Sequence, residues 1–168
     1  MNNKSVNVQQ IFNNMQGIWT IDRIFKPSGS GSLSSVFGQA TIQPSQDNSL
    51  LYFEEINLFW PNGKKKQAYQ SYIYSLQNNV ITKFQNYSTL DNLSCRRASS
   101  KMFDLEFLPF TQNSESIIAM GIFYCHQDVY EAKFIFEHTE KFNIEYKVTG
   151  PNKDYHILTN YIKYSCLI

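Results

Sequence analysis

The sequence predicts an all-β fold, a single antiparallel up-and-down β-barrel of about 8–10 strands preceded by one short helix. Three observations carry this prediction. Aromatic residues make up 15% of the chain, with 13 Phe and 11 Tyr, and such side chains suit a pleated, half-buried surface. From Ile18 onward, apolar residues recur with a period near two. The pattern is cleanest at Phe142, Ile144, Tyr146 and Val148, with Asn143, Glu145 and Lys147 on the other face. Finally, the apolar runs are short and separated by turn residues, and closing such a meander on itself removes the edges that invite aggregation. A two-sheet sandwich with Greek-key crossovers is the alternative reading, but successive short hairpins favour the barrel.

The elements follow in order. Val6, Val8, Ile11, Phe12 and Met15 recur at helical spacing, so Ser5 to Met15 reads as a helix with Ser5 as N-cap, stopped by Gly17. Strands are expected at Ile18–Lys26, Val36–Gln43 and Leu50–Trp60, the first two closed by Pro27 and Pro44. Between the first two, Ser28-Gly29-Ser30-Gly31-Ser32 is flexible by composition. Pro61-Asn62-Gly63 turns the chain into Ala68–Leu76, since Asn-Gly tolerates the positive φ that a tight hairpin needs. Asn78-Asn79 leads likewise into Val80–Tyr87. Ser88–Ser100, with Arg96-Arg97, reads as a polar loop over one barrel mouth. Met102–Leu108, Ser116–Tyr124, Val129–Phe136, Phe142–Val148 and Tyr155–Tyr164 complete the wall. The length fits one domain over 1–168, with 1–16 as helix and lead-in, able to bury a core without disulfide or metal support.

Composition narrows the function. Charged residues are sparse at 17% and the net charge is +1, which argues against a nucleic-acid face. No apolar run approaches the ~18–20 residues of a membrane helix. The start has neither an apolar signal core nor an Arg-rich amphipathic pattern, so a cytoplasmic location is expected. Cys95, Cys125 and Cys166 are odd in number and include no Cys-x-x-Cys pair; they read as free thiols in a reducing compartment. No metal and no cofactor is expected.

Gly17-Ile18-Trp19, directly after the helix, resembles the Gly-x-Trp signature of calycins, the lipocalins, fatty-acid-binding proteins and their relatives. There the Trp plugs one barrel end by packing on the last strands. Over nearly its whole length the chain also resembles a calycin-like family termed domain of unknown function 6314. The pattern runs Gly17-x-Trp19-x-x-x-Arg23, Gly31, Gly38-x-Ala40, Leu51-Tyr52-x-Glu54, Ala68 and Tyr72. It continues with Cys125-x-x-Asp128-x-Tyr130 and Gly150-Pro151-x-Lys153-Asp154-Tyr155, then Thr159 and Tyr161. The family's Phe-His pair near strand six and its His two residues before the Cys are missing; Phe123 holds the latter position. The resemblance implies a calycin-like barrel in which Gly17, Trp19, Glu54, Cys125, Asp128, Tyr130, Gly150, Pro151, Lys153 and Asp154 are family-motif residues of structural weight. It brings no established activity.

Arg23 is the most informative charge. On an apolar first strand it needs a partner if it faces inward, and Glu54 and Asp128 are the candidates. The resemblance to fatty-acid carriers adds a ligand carboxylate as an alternative partner. Tyr52, Tyr72, Tyr146, Tyr155 and Tyr161, with Tyr69 and Tyr74, spread phenols over several strands; they line a pocket in a hollow barrel and fill a closed one. Cys125, His126 and Asp128 suggest a nucleophile or metal site, but strand neighbours point to opposite faces. Lys153 and Asp154 read as a turn, the Asp capping backbone amides and the Lys solvated, with Asp154 as a mouth anchor in the alternative. Lys64-Lys65-Lys66 reads as a solvated hairpin tip, and His138 and His156 have no metal-ligand spacing. The expected function is therefore non-catalytic, the barrel holding a small apolar or amphipathic ligand. The alternative is a structural or adaptor subunit that joins protein partners in a larger assembly, its barrel filled by side chains. An enzyme would need a nucleophile, a base and an orienting group in one pocket, and no spacing brings them together.

Overall fold

At Gly17 the chain changes period from helix to strand, and the computed structural model shows why that position is glycine. Its φ is +138°, a region closed to L side chains, and a Cβ there would lie 2.8 Å from Cε of Lys163. The structure describes residues 6–29, 34–59, 65–86, 100–109 and 115–164. Helix α1 spans Val8–Asn14. Asn7 is its N-cap, the side chain accepting from the Gln10 amide at 3.0 Å. The expected cap, Ser5, lies outside the described residues, as do Trp60, the Pro61-Asn62-Gly63 turn, Lys64, Arg96-Arg97, Cys95 and Cys166. Val8, Ile11, Phe12 and Met15 bury the helical face the spacing predicts.

Eleven strands follow: β1 Gly17–Pro27, β2 Ser34–Pro44, β3 Ser49–Phe59, β4 Lys65–Gln77, β5 Val80–Gln85, β6 Ser100–Asp104, β7 Glu106–Phe107, β8 Ile117–Cys125, β9 Asp128–His138, β10 Lys141–Gly150 and β11 Lys153–Lys163. They form one antiparallel sheet in the order β6-β5-β4-β3-β2-β1-β11-β10-β9-β8-β7, so first and last strands are neighbours. This is the predicted up-and-down barrel. Asn78 and Asn79 take φ of 49° and 65°, both positive as a two-residue hairpin requires. Asp47 and Asn48, at 56° and 52°, turn the chain between β2 and β3.

Closure splits the predicted sixth strand. β6 pairs with β5 and β7 with β8, with Leu105 between them donating its N–H to the Ile81 carbonyl at 2.8 Å. One short run thus changes partner midway, and between the pairs Lys83–Phe103 and Phe84–Lys101 the register skips Met102, a bulge that bends β6. Phe103 and Leu105 both point into the core.

One end of the barrel is sealed. Trp19 is 1% exposed, donates its indole N–H to the Met15 carbonyl at 2.9 Å, and meets Phe142 edge-on at 4.7 Å. Phe142 stacks on Tyr161 at 4.3 Å. The Lys163 ammonium lies 4.9 Å over the Trp19 ring and donates to the Asn14 carbonyl, tying β11 to α1. Among the described residues no helix is long and apolar enough to cross a membrane.

Candidate functional site

Alternation decides what faces inward. On β1 the inward set is Trp19, Ile21 and Arg23; on β3 it is Leu50, Tyr52, Glu54 and Ile56. Arg23 and Glu54 flank β2, Arg23 opposite Val36 and Glu54 opposite Ala40, with Gly38 between them. Arg23 Nη1 and Nη2 donate to Glu54 Oε1 and Oε2 at 2.7 Å each, and Nε donates to Thr159 Oγ1 at 2.9 Å. The Glu54 carboxylate is fully buried and also accepts the Tyr52 hydroxyl, which lies 3.0 Å from the Tyr161 hydroxyl. Of the two partners the sequence offered Arg23, the structure takes Glu54. Burial disfavours the Arg23 charge, but the hydrogen bonds to Glu54 and the surrounding oxygens outweigh it and hold the guanidinium above its ordinary range.

This ion pair sits at the inner end of a cavity of about 410 Å³ within the barrel. Tyr72, Tyr74, Tyr146, Ile56, Ile144 and Ile157 form its walls, and Phe25, Met102, Phe123, Tyr130 and Tyr155 lie toward the end opposite Trp19. Of the seven phenols that the sequence spreads over the strands, Tyr52, Tyr72, Tyr74, Tyr146, Tyr155 and Tyr161 line it. Tyr69 does not: it has the opposite parity to Tyr72, is 49% exposed, and stacks on Phe53 outside. Burial raises the phenols of Tyr52, Tyr72, Tyr74 and Tyr146, and pushes Tyr161 up to about 12, so all remain hydrogen-bond donors at neutral pH.

Sequence reading passed over the cavity's second cation. Lys83 of β5 is 3% exposed and lines the same space. Its ammonium donates to the Tyr146 hydroxyl at 3.0 Å and lies 3.7 Å from the centre of the Tyr72 ring. Among the described residues no carboxylate forms an ion pair with it. Burial lowers its pKa from 10.5 to about 7, with Glu54 opposing the fall and Arg23 adding to it. A signal was present: the Asn78-Asn79 turn sets Tyr74 opposite Lys83, so an inward Tyr74 implies an inward Lys83.

The lysine makes stability pH-dependent. Its folded pKa lies below its unfolded one, so the unfolded chain binds more protons between them and stability rises with pH in that window. Chemical unfolding between about pH 7 and pH 8.5 should show wild type gaining up to about 1.4 kcal/mol per pH unit relative to Lys83→Met. Parallel stability curves would refute the assignment.

At the rim the two most specific motifs meet. Lys153 Nζ contacts Asp128 Oδ2 at 2.6 Å and donates to the Tyr130 hydroxyl at 2.9 Å. Gly150 makes room, since a Cβ there would lie 2.0 Å from Asp128 Oδ1. Lys153 is therefore bonded rather than simply solvated, because β10 carries Gly150 past Asp128 on the neighbouring β9. Asp154 accepts the Ser28 hydroxyl at 2.5 Å, fastening β11 to the end of β1. Pro151 is exposed in the β10–β11 turn. His126 occupies the β8–β9 turn at φ 56° and is exposed, not strand-bound; Cys125 ends β8 half-buried, opposite Asp128. They form no shared site. Among the described residues no group of three potential metal ligands occurs.

An antiparallel up-and-down barrel, plugged by a Trp beside an N-terminal helix and hollow around buried polar groups, is a calycin-like, lipocalin-type barrel. The chain belongs to the family of unknown function DUF6314, whose pattern matches residues 15–163. No curated protein matches the sequence. Among solved structures it is similar to the S-type phycobiliprotein lyase CPES of Guillardia theta, with a TM-score of 0.63 at 9% identity, covering 96% of this chain and 94% of that one. Rv2717c of M. tuberculosis is similar at a TM-score of 0.63 and 6% identity, covering 96% and 100%. A DUF3598-family protein of unknown function from Nostoc punctiforme gives 0.58 and 8%; the match spans 91% of this chain and 49% of that one. At these identities the likeness is one of fold.

Proposed function

We propose that the protein binds one small amphipathic molecule inside its barrel. The observation that carries this reading is the cavity of about 410 Å³, lined by aromatic and aliphatic walls with a few converging polar groups. That size and lining are typical of small-molecule sites, and a barrel of this strand number either fills or holds one such ligand. The space speaks for the container over the adaptor with a filled interior. The reading is of binding rather than catalysis. Glu54 is held by Arg23 and Tyr52, so the one carboxylate among the described lining residues is not free to act as a base. The phycobiliprotein lyase shares the fold, and that fold alone transfers no activity.

The test uses N-phenylnaphthylamine, a neutral dye that fluoresces in apolar surroundings. Wild type is expected to bind it, and Ile157→Phe, which fills the cavity, to weaken binding by about tenfold, a difference of ~1.4 kcal/mol. A folded wild type that binds neither this dye nor its sulfonated analogue, or a bound dye indifferent to Ile157→Phe, overturns the proposal.

A further inference from the structure

The cavity's charge balance points to a more specific ligand. The charged side chains among its described lining residues are Arg23, Glu54 and Lys83. The first two cancel in a bidentate pair at 2.7 Å, and all three donor nitrogens of Arg23 are engaged, by Glu54 and Thr159. Arg23 is therefore poorly placed to receive a ligand carboxylate. Lys83 is different. Its neighbours are a hydroxyl at 3.0 Å and the face of a phenol ring at 3.7 Å, so its charge has partners in contact but, among the described residues, no carboxylate paired with it. A buried ammonium in that condition is costly, and an anion entering the cavity removes the cost while gaining a charge-assisted hydrogen bond. A cationic ligand would meet repulsion, and a neutral one would leave Lys83 uncompensated.

We propose that the cavity receives a ligand bearing a single acidic group, with Lys83 holding the acid and Tyr146 steering the ammonium toward it, while the apolar body lies along Tyr72, Ile157 and Phe25. The inference rests on the binding reading above. It adds the ligand's chemical class, an amphipathic monoanion, and the residue that selects it.

Two dyes of one skeleton separate the claims: anilinonaphthalene sulfonate, which carries one negative charge, and N-phenylnaphthylamine, which lacks the sulfonate. Wild type is expected to bind the sulfonate at least about tenfold more tightly than the neutral dye, the range of a charge-assisted hydrogen bond. Lys83→Met should abolish that preference, the sulfonate losing at least about tenfold more affinity than the neutral dye. If wild type binds the neutral dye and shows no preference for the sulfonate, or if the preference survives Lys83→Met, this inference fails while the container reading stands. If neither dye binds folded wild type, both fall. Should Lys83→Met lose both dyes by unfolding, the wild type decides by pH. The preference must shrink as pH rises through the Lys83 titration while neutral-dye binding holds, and a flat profile overturns the assignment. The groups facing Lys83 are Arg23 from β1, Tyr52 and Glu54 from β3, Tyr72 and Tyr74 from β4, Tyr146 from β10 and Tyr161 from β11. Arg23 and the phenols keep their protonation state across that window.

Discussion

Replacing Glu54 by Leu is expected to cost about 3–5 kcal/mol of folding stability, because it leaves the buried Arg23 guanidinium without its counter-charge. With Glu54 gone, two of the three Arg23 nitrogens lose their acceptor, and the Tyr52 hydroxyl loses one as well. Arg23→Met alone should cost a similar amount by leaving the fully buried carboxylate unpaired. The double variant Arg23→Met, Glu54→Leu should recover most of either loss, since replacing both charges with apolar groups leaves nothing unsatisfied. Urea unfolding of the two single variants and the double variant closes the cycle. Additive losses would show that the two residues do not depend on one another. The pair therefore belongs to the floor of the cavity, where it fixes how β1 and β3 sit across the small residues of β2.

Trp19→Ala should cost about 3–5 kcal/mol and lower the thermal midpoint by many degrees. Its ring fills the sealed end, bridges α1 to β10 through Met15 and Phe142, and receives the Lys163 ammonium on its face. Loss of the indole opens a void between the helix and the floor, so α1 should also lose protection from hydrogen exchange ahead of the barrel. A small shift in midpoint with α1 still protected would mean that the helix is held by Val8, Ile11 and Phe12 alone.

Much of this was legible in the sequence because the controlling interactions are local. A period of two in Phe142–Val148 places those side chains on one face whatever their partners are, and Asn78-Asn79 makes a tight hairpin by its own φ preferences. The Trp19 plug was implied by the resemblance of Gly17-Ile18-Trp19 to the calycin signature, not by the local pattern. Arg23 declared a need for a counter-charge, and Glu54 was one of two named answers. The misread residues are those whose environment comes from elsewhere in the chain. Lys153 looked like a solvated turn residue because Asp128 and Tyr130, on the neighbouring hairpin, are more than twenty positions away in sequence. Lys83 sits in Val80–Gln85, where apolar residues fall on both parities, so no alternation within the strand shows its inward aim.

By itself the sequence determined the strand and hairpin periods, each a matter of neighbouring residues and dihedral preference, and marked Arg23 as a charge needing a partner if it faced inward. Only the tertiary structure decided that the interior is hollow, that Arg23 is spent on Glu54, and that Lys83 is the cation left facing the cavity. Those depend on strand register and on the way β6 and β7 change partners at Leu105. Volume and net charge inside a barrel are sums over all its walls, and no single stretch of chain contains such a sum.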